Sequence, residues 1–158
     1  MSVVLGYDES PGAERALYVA LEVATAFGEP LVLVYGAAAP GATGEEYRAH
    51  REAVRQAGRS ALAHAVEEAD AAGVPSTVEV VDEKPAQALL DAAERHHARV
   101  IIVGSWGDSP IRGALLGSTP HKLLHLSPVP VLCVPTEGGP AQIAAGSPPR
   151  GKAGPLVS

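Results

Sequence analysis

Short apolar runs and helical stripes alternate along the chain. Val3 to Tyr7 is a continuous apolar run closed by Asp8-Glu9-Ser10-Pro11. It predicts a strand followed by a helix start, with Ser10 as N-cap and Pro11 at N1, where a missing N–H costs nothing. Ala13, Leu17, Ala20, Ala24 and Phe27 then recur at intervals of three and four, the stripe of an amphipathic helix that Gly28 can end. Leu31 to Tyr35 is apolar without alternation, as expected of a strand covered on both faces. Gly36 to Gly44, rich in glycine and small residues, reads as a loop. A long helix follows over Glu45 to Ala72, with Tyr47, Val54, Gly58, Ala61, Ala65 and Ala69 near one face and Gly73 at its end.

Ser76 to Val81 predicts a strand, and Glu79 within it points to an edge or half-exposed place in the sheet. Pro85 opens a helix that turns Ala86, Leu89, Leu90 and Ala93 inward. Val100 to Val103 is the clearest buried strand. A long connection from Gly104 to Gly117 leads to a helix over Thr119 to Leu126, and Val129 to Val134 forms the last strand between Pro130 and Pro135. The order β-α-β-α-β-α-β-α-β predicts an α/β fold, a parallel sheet in a three-layer sandwich with right-handed crossovers.

Composition narrows the function. The 158 residues suit one domain, expected over residues 1–135. The tail, residues 136–158, is rich in Gly and Pro and is expected to be disordered and flexible. A net charge of −6 without clustered basic residues argues against a nucleic-acid partner. No signal peptide or long apolar run is evident, so the expected compartment is the cytoplasm, without membrane insertion. The single Cys133, inside Val131-Leu132-Cys133-Val134, reads as a buried, inert thiol. No Ser-His-Asp or Cys-His arrangement and no zinc spacing emerges among the six histidines, so no catalytic residue is assigned.

The most informative stretch is Gly104-Ser105-Trp106-Gly107, nine further residues, then Gly117-Ser118. It starts at the carboxyl end of a buried strand and finishes at a helix start. Ser118 reads as the N-cap, and the first-turn amides of Ser118 and Thr119 can meet phosphate oxygens. Pro120, at N2, removes one donor, and His121 at N3 reads as a surface residue. The spacing is neither that of a P-loop nor that of a dinucleotide fingerprint.

These motifs, together with Val4-Leu5-Gly6-Tyr7-Asp8-Glu9-Ser10-Pro11, resemble the ATP-binding branch of the universal stress protein family over Ser2 to Pro135. The resemblance implies an open five-stranded parallel sheet of order 3-2-1-4-5 and ATP or a related adenine nucleotide as ligand, with Mg2+ as a companion ion. By the same resemblance Gly104, Gly107, Gly117, Ser118 and Thr119 line ribose and phosphate, Asp8 approaches the nucleoside, and Tyr35 and Gly36 meet adenine through their backbone. The chain departs from the family pattern at Trp106 and Asp108, where a carboxylate beside a triphosphate needs Mg2+ or a cation such as Arg112 to offset it. The implied role is a stress-response or regulatory protein in which any ATP hydrolysis is slow and incidental. A nucleotide-independent dimeric interaction protein and a related α/β nucleotide hydrolase are the alternatives. The apolar last strand, Val129 to Val134, flanked by prolines, suits a sheet edge that a second copy covers, which predicts a homodimer.

Overall fold

The computed structural model describes residues 1–38, 44–105 and 116–136. Its strands are β1 (Ser2–Gly6), β2 (Leu31–Gly36), β3 (Ser76–Val81), β4 (Ala98–Gly104) and β5 (Val131–Val134). The helices between them are α1 (Pro11–Phe27), α2 (Glu45–Ala71), α3 (Pro85–Arg95) and α4 (Ser118–Leu126). All strands pair in parallel in the order β3-β2-β1-β4-β5. The fold is the open α/β sandwich that the alternation of elements predicts.

Strand alternation sorts the core into two layers. Val3, Leu5, Leu31 and Leu33 pack under α1 and α2 with Ala16, Leu17, Ala20, Leu62 and Ala65. Val4, Val32, Val34, Ile101 and Val103 face the opposite layer, with Ala88, Leu89 and Ala92 of α3 and Leu123 of α4. With Ala so frequent at these contacts, the helices lie close on the sheet, and aliphatic burial carries most of the stability, Tyr7 being the one fully buried aromatic ring among the described residues.

Local signals act where expected at both ends of α1. Ser10 Oγ accepts from the Ala13 amide at 3.2 Å, and Gly28, at φ 64°, turns the chain out of the helix. Gly73 does the same after α2, at φ 69°. Glu79 lies on β3, at one sheet edge, where Arg95 and His96 hold its carboxylate.

Two expectations are corrected. Phe27 does not belong to the buried stripe: it is 56% exposed, beyond the last turn that the sheet covers. The Arg99 guanidinium sits 4.3 Å from its ring centroid while bonding Glu29, so the ring is a platform for a cation and not core. The last strand is shorter than Val129–Val134, because Ser127 Oγ closes a turn with the Val129 amide and carbonyl. Pro130 contributes only its carbonyl to the ladder, accepting from the Ile101 amide at 2.9 Å.

Candidate functional site

β1 is the central strand, and the connections leaving β1 and β4 part company at its carboxyl end. The helix after β1 goes to one face of the sheet and the helix after β4 to the other. Such a divergence opens a crevice beyond the strand ends. Leu5 pairs with Ile102, so continuing the register by two residues sets Tyr7 level with Gly104. Asp8 and the Gly104 turn therefore flank one crevice from opposite ends of the sequence.

Asp8 is exposed, and its Oδ1 accepts from the Ser10 amide at 3.0 Å. That bond folds the turn into α1 while Glu9 takes the left-handed conformation at φ 62°. The carboxylate thus shapes a turn and still presents a charged oxygen at the crevice rim. Among the described residues no three potential metal ligands cluster, so a Mg2+ ion here would depend mainly on the oxygens of a bound phosphate.

Gly104 has a packing reason of its own. A Cβ there would stand 2.6 Å from the backbone carbon and 2.7 Å from the carbonyl oxygen of Gly12. The end of β4 and the first turn of α1 therefore touch backbone to backbone, which needs glycine at position 104. Gly36 is similar: a Cβ would meet Ala88 Cβ at 2.9 Å and the Pro85 Cα at 3.0 Å. Tyr35 is half-buried, with its ring against Gly58 of α2, so only its backbone is left to serve a ligand.

The segment expected to face phosphate differs in detail from the sequence reading. Gly117, not Ser118, is the N-cap of α4, with φ −64° and ψ 165° and no side-chain capping bond. Its amide is already given to the Ser105 carbonyl at 2.8 Å, and its carbonyl accepts from His121 at 3.1 Å. Ser118 moves to N1, Pro120 to N3 and His121 to N4. The hydroxyl of Ser118 is released from capping, and the amides of Ser118 and Thr119 have no acceptor within their own helix. Pro120 at N3 still subtracts one donor from that turn. Gly107, Trp106, Asp108 and Arg112 lie outside the described residues.

Gly12, the partner of Gly104, escaped the sequence reading; its only signal was the Pro-Gly pair at a helix start. So did a polar chain behind Asp8, in which the buried Tyr7 hydroxyl donates to Glu14 and Glu14 Oε2 lies 3.4 Å from His64 Nε2. Burial, reinforced by Glu14, pushes the Tyr7 phenol far above its ordinary range, so it stays protonated and donates. His96 is committed to Glu79, and the rings of His121 and His125 meet edge-on at 4.8 Å. Cys133 is half-buried and not fully enclosed, and that burial raises its thiol. No described helix is long and apolar enough to cross a membrane.

Comparison with known proteins follows the same lines. The model of the universal stress protein family matches residues 1–135. A universal stress protein of Thermus aquaticus, encoded 3′ of a sulfhydrylase gene, is 32% identical over 135 residues, 84% of this chain and 97% of that protein. The universal stress protein of Archaeoglobus fulgidus solved with dAMP superposes with a TM-score of 0.62 at 25% identity, covering 85% of this chain and 97% of that one. A universal stress protein solved with cAMP gives a TM-score of 0.66 at 29% identity, over 86% of this chain and 97% of its own.

Proposed function

The chain belongs to the universal stress protein family, and we propose that it is a stress-response regulatory protein that binds ATP or a related adenine nucleotide in the crevice between β1 and β4. The observation that carries this reading is the N-terminus of α4. It offers the Ser118 hydroxyl and the Ser118 and Thr119 amides at the carboxyl end of β4, joined to it through the Gly117 to Ser105 bond. Relatives solved with dAMP and cAMP favour an adenosine ligand over other phosphates. Asp8 meets the ribose or a phosphate-bound Mg2+, the backbone of Tyr35 and Gly36 borders the base, and Gly104, Gly107 and Gly117 shape the phosphate turn.

In this reading the domain spans residues 1–135 and acts by binding, with no dedicated catalytic group. Nucleotide stabilises whichever state holds it better and so changes the surface that a partner meets. A second copy covers β5, where the edge strand carries Leu132, 39% exposed.

Native mass spectrometry of gently purified protein, followed by titration calorimetry with Mg-ATP and AMP, tests both parts. A dimer mass carrying adenine nucleotide is expected, with affinity lowered at least about tenfold in Asp8→Ala, the loss of one hydrogen bond to a charged group. A folded protein with no measurable affinity for either nucleotide would refute the binding function.

A further inference from the structure

A second cleft lies at the outer edge of the sheet, two strands away from the crevice. Gly58 of α2 abuts Val80, near the end of β3, so the α2 residues before Gly58 extend past the carboxyl end of that strand. At about 1.5 Å per residue, this overhang is roughly 20 Å long. Beneath it is a cavity of about 240 Å³ lined by Arg51, Val54, Arg55, Val80, Val81 and Asp82.

We propose that this cleft binds a small aliphatic carboxylate, held by Arg51 and Arg55 over a floor of Val54, Val80 and Val81. Arg51 is half-oriented already: its Nε stands 3.3 Å from Asp82 Oδ2, and its guanidinium lies 5.7 Å from the ring centroid of Tyr47, whose hydroxyl donates to the same carboxylate oxygen at 3.0 Å. That Nε is nevertheless a buried donor without a hydrogen bond of acceptable geometry. A buried donor left so costs stability, which an oxygen entering the cleft removes. Arg55 makes no ion pair among the described residues and adds a second guanidinium at the mouth.

Charge decides which oxyanion fits. Two arginines and one aspartate leave the cleft at +1, on a chain whose formal charge is −6. A monoanion is neutralised there, whereas a phosphate dianion meets Asp82 and the acidic surface in excess. Planar guanidinium groups match a carboxylate in a two-point hydrogen bond, and three valines favour an alkyl stem over a hydrated one. The volume lies below the roughly 300–1,000 Å³ of sites for drug-sized ligands, so the ligand is a compact acid of a few carbons and not a nucleotide.

The test is methyl and amide NMR of the full chain titrated with 3-methylbutanoate, with inorganic phosphate, 3-methylbutanamide and AMP as parallel titrants. Saturable shifts at Val54, Val80 and Val81 are expected with the carboxylate and not with the amide or with phosphate. Arg55→Gln should weaken the carboxylate about tenfold, one charge-assisted hydrogen bond. Asp82→Asn should tighten it, a gain that damage to the fold cannot mimic. Absence of saturable shifts, equal shifts with phosphate or the amide, or indifference to both substitutions overturns the proposal. So does AMP displacing the carboxylate from the same methyl groups, which would assign the cleft to the nucleotide; loss of AMP binding elsewhere leaves it standing.

Discussion

Replacing Gly104 by Ala separates the fold's demand for glycine from any ligand's. The added Cβ would fall 2.6, 2.7 and 2.9 Å from the backbone carbon, oxygen and Cα of Gly12. Carbon atoms rest at about 3.5 Å or more, so the first turn of α1 must retreat by roughly 1 Å. The obstacle is backbone, which cannot swing aside as a side-chain tip can, and a retreat of α1 loosens the buried Ala13, Ala16 and Leu17 against the sheet. Overpacking of this kind costs about 1–3 kcal/mol, and a backbone clash belongs at the upper end, near 3 kcal/mol. Urea unfolding of the nucleotide-free protein measures it: with a slope of about 1.5–2 kcal/mol/M, the midpoint should fall by about 1.5–2 M. Gly28→Ala is the internal reference. Gly28 has φ 64° and nothing within 4 Å of its added Cβ, so only backbone strain of about 1–2 kcal/mol applies. A Gly104→Ala loss within about 0.5 kcal/mol of zero, the range of an innocuous surface substitution, would sink the backbone contact and leave ligand binding as the sole reason for that glycine.

Three further expectations concern the edges of the sheet. Burial pushes the Glu79 carboxyl up, but hydrogen bonds from Arg95 and His96 more than reverse this and hold it below its ordinary value. Its contribution is therefore complete above the unfolded carboxylate range and lost as pH falls through the lowered folded value. Glu79→Gln should cost about 1 kcal/mol at pH 7, with the gap to the parent closing below about pH 4; a gap independent of pH would contradict this. Cys133, its thiol raised by burial, should react with a disulfide reagent at pH 8 at least about tenfold more slowly than in urea, and equal rates would show it open to solvent. Leu132→Lys should convert the proposed dimer to monomer in light scattering while leaving the unfolding midpoint per chain little changed; a persistent dimer would place the interface elsewhere.

Most of the fold was legible because its two periodicities are unmixed. Four of the five strands carry a run of aliphatic residues, β3 with Thr77 and Glu79 being the exception, and each helix announces its start or end by a proline, an N-cap serine or a glycine at positive φ. What was misread lies where an element outruns the sheet. Phe27 keeps the helical spacing of its stripe, but the spacing does not say where the sheet stops covering it, and Arg99 that stacks on it comes from a distant strand. Val129 has the composition of a strand and loses that role to a local turn closed by one serine hydroxyl.

The crevice that holds the candidate site was legible and its division of labour was not, because glycine and serine each answer to two demands that a sequence does not separate. Gly104 and Gly36 read as room for a ligand, yet each is already required where a strand end meets a helix start. Ser118 read as a cap, yet the extended backbone of Gly117 takes the cap position and releases the hydroxyl. These exchanges push the phosphate reading the same way. Glycines tied to packing build the rigid rim of the crevice, and the polar groups freed from packing, the Ser118 hydroxyl and the first-turn amides, are those left for an anion to meet. In the proposed reading, nucleotide binding therefore rests on the amides of α4 more than on the number of glycines before it. Substitution of Ser118 by Ala should accordingly weaken nucleotide while sparing stability, whereas substitution of Gly104 should damage the fold first.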